Sequence, residues 1–199
     1  MPAPVAAVIL AAGESSRMGS PKALLPFRQS TFLEHLAGLL ASEPFSPVLL
    51  VLGHDAERIR GAVRLPPAIR TLVNPNYRLG QLSSLQTAIR ALEGSDVSGL
   101  LVAPVDHPAI GREVVEALLE TFTTELPEVV VPTFHGRRGH PVIFSARLFP
   151  ELLEAPVEVG ARAVVRRHTV REVATNDDGV LADIDDPDTY QHLLAQGRL

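Results

Sequence analysis

The chain has 199 residues and a formal net charge of −5, with 46% hydrophobic but only 5% aromatic side chains; this predicts one domain over 1–199 with a core of Leu, Val, Ile and Ala. It holds no cysteine, which excludes disulfides, thiolate metal sites and a cysteine nucleophile. The acidic balance argues against a nucleic-acid partner, and no apolar run reaches the roughly 20 residues of a membrane span or opens the chain as a signal peptide, so the cytoplasm is the expected location.

In chain order, short apolar runs alternate with amphipathic stretches. Strands are predicted at 5–10, 48–52, 69–73, 99–103, 128–131, 141–144 and 170–174. Helices are predicted at 31–41, 56–63, 82–92, 112–122, 145–153, 160–167 and 187–194. Helical patterns separate the first four strands, which predicts an α/β fold: a mostly parallel, mixed sheet of about seven strands covered on both faces, in three α/β/α layers. Segments 128–131 and 141–144 either pair directly or leave the loop 132–140 over a ligand site. Thr31 and Glu34 have capping-box spacing, and Asp186-Pro187 is an N-cap and N1 pair. Leu33, Leu36, Ala37 and Leu40 share one helical face and read as core.

The first apolar run leads into Ala11-Ala12-Gly13-Glu14-Ser15-Ser16-Arg17-Met18-Gly19-Ser20-Pro21-Lys22. Small residues let backbone N–H groups approach an anion, and Arg17 and Lys22 can neutralise it; a polyphosphate fits such a loop. It is not a Walker loop, since Gly13 and Gly19 are one residue too far apart and Lys22 comes three residues after Gly19. Nor does it carry the Gly-x-Gly-x-x-Gly of a dinucleotide site.

Other polar clusters follow later apolar runs. Asp106, in Pro104-Val105-Asp106-His107-Pro108, reads either as a turn or cap residue or as a magnesium ligand, because magnesium takes one or two carboxylates plus phosphate oxygens. In Asp183-Ile184-Asp185-Asp186-Pro187-Asp188, Asp186 is explained as a cap and Asp188 as a first-turn acid. Asp183 and Asp185 point to one face if the segment is extended. Gly80-Gln81-Leu82-Ser83-Ser84-Leu85 opens a helix whose N–H groups and hydroxyls suit a base or ribose, or simply cap the helix. Arg137 and Arg138 form either an anion contact or a basic hairpin turn. Arg166, Arg167 and His168 read equally well as a solvated helix end. No His-Glu-x-x-His or Gly-x-Ser-x-Gly is present, and His135 and His140 lack a partner acid at a recognisable spacing.

The string Leu10-Ala11-Ala12-Gly13-x-Ser15-x-Arg17-Met18-Gly19-x-x-Lys22-x-Leu24-Leu25-Pro26 resembles the signature of the MobA-like nucleotidyltransferases, and within them the molybdenum cofactor cytidylyltransferase branch. The resemblance runs through four separated motifs: this loop, Asp106-His107-Pro108, Gly139-His140-Pro141, and the 183–189 stretch, which is similar to Asp-Ile-Asp-Thr-Pro-Glu-Asp. It departs at Pro104-Val105, Asp186 and Thr189. The fold it implies is the Rossmann-like, GT-A-like nucleotidyltransferase fold, its N-terminal part nucleotide-binding and its C-terminal part acceptor-binding. It implies catalytic roles for Arg17, Lys22 and Asp106, and nucleotide contacts from Leu10, Ala11, Ala12, Gly13, Arg17, Lys22, Gly80, Ser83 and Ser84. Acceptor contacts fall on Gly139, His140, Pro141 and Arg162. Mg2+ falls on Asp106 and Asp185, with Asp183 as the alternative. The implied substrates are an NTP, CTP by the Leu-Ala-Ala-Gly form of the loop, and molybdopterin or another phosphorylated acceptor such as a sugar phosphate. The other reading left open is a noncatalytic accessory protein that carries a cofactor to a molybdenum hydroxylase.

Overall fold

The computed structural model describes residues 3–195. Strand β1 (Val5–Ala11) is buried over its whole length. Val5, Ala7, Ile9 and Ala11 enter one core cluster while Ala6, Val8 and Leu10 enter another, so both faces are covered and the run needs no polar alternation. A 3-10 turn at Lys22–Leu24 follows, then a hairpin of β2 (Pro26–Phe27) and β3 (Ser30–Thr31). Next come α1 (Phe32–Ala41), β4 (Phe45–Leu52), α2 (Ala56–Ala62), β5 (Ile69–Val73), α3 (Gln81–Arg90), β6 (Gly99–Pro104) and α4 (Arg112–Glu125). The second half holds β7 (Val129–Phe134), β8 (Arg137–Arg138), β9 (Val142–Ser145), α5 (Phe149–Glu154), α6 (Ala161–Val165), β10 (Val170–Ala174) and α7 (Pro187–Ala195).

The main sheet has the order β5-β4-β1-β6-β9-β7-β10, with β8 on β7. It is mostly parallel; β9 runs antiparallel to β6 and β7, and β8 antiparallel to β7. Helices α1, α2, α4 and α7 cover one face through Leu36, Ile59, Leu118 and Leu193, and α3, α5 and α6 cover the other through Leu85, Leu152 and Val164. This is the expected three-layer α/β/α arrangement. The chain builds β4 and β5 on one side of β1 and later returns to place β6 on the other. The crevice beyond the carboxyl ends of β1 and β6 is therefore a topological switch point, where open α/β sheets take ligands.

Local signals match the elements they announced. Thr31 Oγ1 accepts from the Glu34 N–H at 3.2 Å and Glu34 Oε2 accepts from the Thr31 N–H at 3.0 Å, a complete capping box. Asp186 Oδ1 accepts from the Thr189 N–H at 2.8 Å at the start of α7. The direct pairing expected in 128–144 is present: β7 pairs with β9 at Val129–Phe144 and Val130–Ile143, and its far end pairs with β8. The predicted helix 145–153 starts as a 3-10 turn at Ala146–Leu148, and 160–167 shortens to α6. The β2–β3 hairpin has strands too short to show a period of two. It is held by Phe27, fully buried and edge-on to Phe32, and by the Tyr190 hydroxyl donating to the Pro26 carbonyl at 2.9 Å.

At the α6–β10 joint Arg166 and Arg167 are exposed, as a solvated basic end would have them, but two of the basic groups also take acidic partners. Arg167 pairs with Glu151 at 2.5 Å. His168 meets Glu151 Oε2 through Nε2 at 2.5 Å and Glu128 Oε1 through Nδ1 at 3.1 Å, while Glu128 Oε2 also accepts from the Thr169 N–H. Glu151 first, and then Glu128, raise the His168 pKa above its ordinary 6.5. A folded value above the unfolded one means the stabilisation is complete below the ordinary value and is lost as pH rises through the folded value. Raising the pH from about 6 to about 9 should thus lower the urea midpoint of the wild type more than that of His168→Gln. Parallel decline of the two proteins would show that the imidazolium contributes nothing.

Candidate active site

The loop after β1 folds back on itself because Ser15 and Gly19 take positive φ, at 51° and 68°. The Met18 N–H then bonds the Ser15 carbonyl at 2.9 Å, and the Lys22 N–H donates to Ser15 Oγ at 3.0 Å. Lys22 is thereby turned inward and is only 9% exposed. Two backbone bonds bring the other segments to it: the Val105 N–H donates to the Leu10 carbonyl at 3.0 Å, and the Ile184 N–H to the Asp106 carbonyl at 2.9 Å. Ile184 is fully buried, and Asp183 and Asp185 flank it.

The result is a cleft of about 290 Å³ at the ends of β1 and β6. Of the residues predicted to meet a nucleotide, Leu10, Ala11, Ala12, Gly13, Arg17, Lys22, Gly80 and Ser84 line it, as do Asp106 and Asp185. Ser83 does not; its hydroxyl turns inward and donates to the Gly80 carbonyl at 2.7 Å. A second cleft, of about 580 Å³, adjoins the first and shares Leu10, Gln81 and Pro104 with it. Gly139, His140 and Arg162 line this one, together with Arg138, Arg166 and an apolar wall that includes Leu82, Val142 and Phe144. Pro141 lies outside both linings.

Lys22 Nζ lies 3.4 Å from Asp106 Oδ2 and also bonds Asp185 Oδ1, while Arg17 Nη2 meets Asp185 Oδ2 at 2.5 Å. Lys22 and then Arg17 hold the Asp185 carboxyl below the usual carboxylate range. Asp183 is different: desolvation, then the charges of Asp106 and Asp185, push its carboxyl up to about 6. His107 is pushed down to about 4 by burial and then by Lys22, and His140 down to about 4 by burial and then by His107. The two rings lie 4.7 Å apart, and each is neutral near neutral pH.

One donor set could hold a metal. The ligand atoms of Asp106, His107 and Asp183 all lie within 4.8 Å of one another. Asp106 Oδ1 and His107 Nδ1 are buried and, among the described residues, have no hydrogen-bond partner. Buried polar atoms are rarely left so, and a divalent cation would satisfy them. The structure therefore sets Asp183 beside Asp106 and commits Asp185 to Lys22 and Arg17, whereas the motif favoured Asp185. His107 joins this set only in the structure; its one signal in the sequence is that it directly follows Asp106.

Residues 7–173 match the MobA-like NTP transferase domain. A Rhodopirellula baltica protein named probable molybdenum cofactor guanylyltransferase is 31% identical over 65% of this chain and 61% of its own length, so the chain spans about three fifths of that relative. Nicotine blue oxidoreductase of Paenarthrobacter nicotinovorans is 30% identical over 96% of both chains. The molybdenum cofactor cytidylyltransferase of Escherichia coli K12 is 25% identical over 92% of both. Among solved structures, Rv0371c of Mycobacterium tuberculosis H37Rv is 28% identical with a TM-score of 0.84, covering 98% of this chain and 99% of that one. Its complex with manganese aligns at 26% identity and a TM-score of 0.80, over 98% and 100% of the two chains.

Two glycines of the site separate folding from ligand approach. A Cβ on Gly139 would lie 2.2 Å from the Val180 carbonyl oxygen, whereas a Cβ on Gly13 would have nothing within 4 Å. Gly139→Ala should cost about 1–3 kcal/mol of stability, from backbone that must shift. Gly13→Ala should change stability by less than about 0.5 kcal/mol. Thermal or urea unfolding of both variants measures the contrast, and equal losses would refute it.

Proposed function

The chain belongs to the MobA-like NTP transferase family, and from that premise we propose that it transfers a nucleotidyl group from CTP to a phosphate-monoester acceptor of the molybdopterin type. An acceptor phosphate oxygen attacks the α-phosphorus, the bond to the β-phosphate bridging oxygen breaks, and pyrophosphate leaves. A phosphate monoester is already ionised near neutral pH, so no general base is needed, and the imidazoles beside the site, His107 and His140, pushed down to about 4 by burial, are weak bases. Catalysis then rests on positioning and charge neutralisation.

The observation that carries this reading is the meeting of Lys22, Asp106 and Asp185 in one cleft from three distant parts of the chain. Lys22 and Arg17 would leave Asp185 to receive the β- and γ-phosphate charge. Gly13 and the neighbouring backbone would approach the phosphates, and the α3 end at Gly80–Ser84 would hold the nucleoside. His140 and Arg162 would orient the acceptor in the second cleft, with its apolar wall against the acceptor's ring system. Asp106 and Asp183, with His107, would hold the metal. Two carboxylates suit magnesium, and the imidazole nitrogen widens the choice toward manganese, the ion in the mycobacterial complex. Such an ion, when bound, supplies Lewis-acid stabilisation of phosphate oxygens.

CTP is supported by the Leu10-Ala11-Ala12-Gly13 form of the loop and by the near full-length match to a protein named cytidylyltransferase. A second reading has one observation behind it, the 96% span shared with nicotine blue oxidoreductase. Pyrophosphate release should be measured with CTP, GTP, ATP and UTP, with magnesium or manganese, with and without reduced molybdenum cofactor. The expected result is release with CTP that requires both metal and acceptor. Silence with every nucleotide, alongside conversion of nicotine blue in the presence of an electron donor, would select the oxidoreductase reading. Asp106→Asn should lower turnover about a hundredfold or more while circular dichroism stays unchanged. A folded Asp106→Asn enzyme at wild-type rate would overturn the proposal.

A further inference from the structure

Gln86 stands in the second turn of α3 and is 6% exposed, a polar side chain between that helix and α5. Its Nε2 lies 3.0 Å from the Leu152 carbonyl oxygen, 3.2 Å from that of Leu153 and 3.0 Å from that of Ala155. Only a donor can stand among three carbonyl oxygens, which fixes this atom as the amide nitrogen, its two hydrogens shared among them. Leu152 and Leu153 belong to the last turn of α5, where carbonyls have no partner within the helix. Gln86 thus closes the end of α5 from a different helix.

That contact joins two sides of the second cleft. One side is α3, at Leu82 and Leu85; another is the stretch 157–166, which carries Arg162 and Arg166. The stretch continues directly from α5 past Ala155. Its own hydrogen bonds are local: the Val159 N–H donates to the Pro156 carbonyl and the Ala163 N–H to the Gly160 carbonyl, both at 3.2 Å. They shape the stretch without setting where it stands against α3. Leu152 and Val164 are fully buried and hold α5 and α6 on the sheet, but apolar packing is non-directional. The bonds of Gln86 are directional, and one of them ends on Ala155, from which the stretch departs. Gln86 also follows Leu85 directly, so the same turn of α3 lines the apolar wall and grips the base of the arginine side.

We propose that Gln86 is a positioning residue for the second cleft: by tying α3 to the end of α5 it sets how Arg162 stands against the apolar wall, and so the fit of the acceptor molecule. The inference rests on the reading of that cleft as the acceptor site. Gln86 lines neither cleft, and its effect passes through the backbone of 155–162. Gly80, at the nucleotide end of α3, is more than a helical turn away and keeps its place when the amide is removed.

The test uses the full chain with Gln86→Met, which keeps the length and removes the donor, and with Gln86→Asn, which keeps the amide but falls a methylene short. Pyrophosphate release is followed with CTP and metal against rising reduced molybdenum cofactor, and exchange of the backbone amides is followed by mass spectrometry. In Gln86→Met the KM for the cofactor should rise about fivefold to tenfold, as loss of a buried hydrogen bond implies, while the KM for CTP stays within about twofold. Amides of 155–163 should exchange faster, and those of β1 and the 11–22 loop at the wild-type rate. A purely structural amide would lower the urea midpoint and leave both KM values unchanged, and a general loosening would raise both together; either result overturns the inference, as does wild-type exchange across 155–163. Gln86→Asn is read in the same way should Gln86→Met fail to fold. Failure of both to fold would overturn the inference too, because the amide would then hold the whole molecule and not one side of a cleft. Absence of pyrophosphate release by the wild type with every nucleotide would refute the parent reading and the acceptor role with it, while the exchange comparison separately decides whether Gln86 ties the two sides together.

Discussion

A lysine ammonium that is nearly withdrawn from water constrains the whole site. Lys22 is 9% exposed, and a charge so placed is stable only with an opposite charge in contact. Its partners stand 84 and 163 residues further along the chain. One cation thus ties the loop after β1, the end of β6 and the stretch before α7 into a single wall. Removing it would take from Asp106 and Asp185 the counter-ion they share and leave Arg17 alone on Asp185, beside an Asp183 carboxyl already raised by desolvation and then by the charges of Asp106 and Asp185. The same arrangement can exchange partners. On the proposed function, a polyanionic ligand would compete with Asp185 for Lys22 and Arg17, and a divalent ion would compete with Lys22 for Asp106.

Much of this was legible in the residue order. The apolar run at 5–10, the small-residue loop with Arg17 and Lys22, and the aspartate after the fourth strand could be read because a buried parallel strand and its ligand loop are continuous in sequence. The capping box at Thr31 and the cap at Asp186 were legible for the same reason: each needs only residues three apart. What could not be read was pairing across long separations. The choice between Asp183 and Asp185 depends on which of them Lys22 and Arg17 reach, and nothing local records that. His107 is silent in sequence because its role comes from burial beside Asp183 and His140.

The two clefts differ in chemistry because they are built from different layers of one sheet. The smaller is made of backbone, small side chains and opposite charges, drawn from the β1 loop and the start of α3. The larger has an apolar wall from β6, β9 and α3, with arginines along its rim from β8 and α6. They meet at Leu10 and Pro104, which are register partners at the ends of β1 and β6. Those strands are buried along their whole length. Buried central ladders are the last part of a fold to open, so the distance between the two clefts is held by the most stable region of the molecule.

That division explains how one fold can serve relatives with different names. Transfer between two bound groups requires a fixed separation between them, and the β1–β6 ladder supplies it without reference to what the groups are. On the proposed function, identity would be read elsewhere, by loops and helix ends that can change without disturbing the ladder: the Gly80–Ser84 end for the nucleoside, the β8 and α6 rim for the partner molecule. A guanylyltransferase, a cytidylyltransferase and an oxidoreductase all align with this chain, the last two over nearly all of it. The constraint they would share is geometric, two adjoining pockets held at a set distance, and the chemistry each performs would follow from the few side chains that face into them.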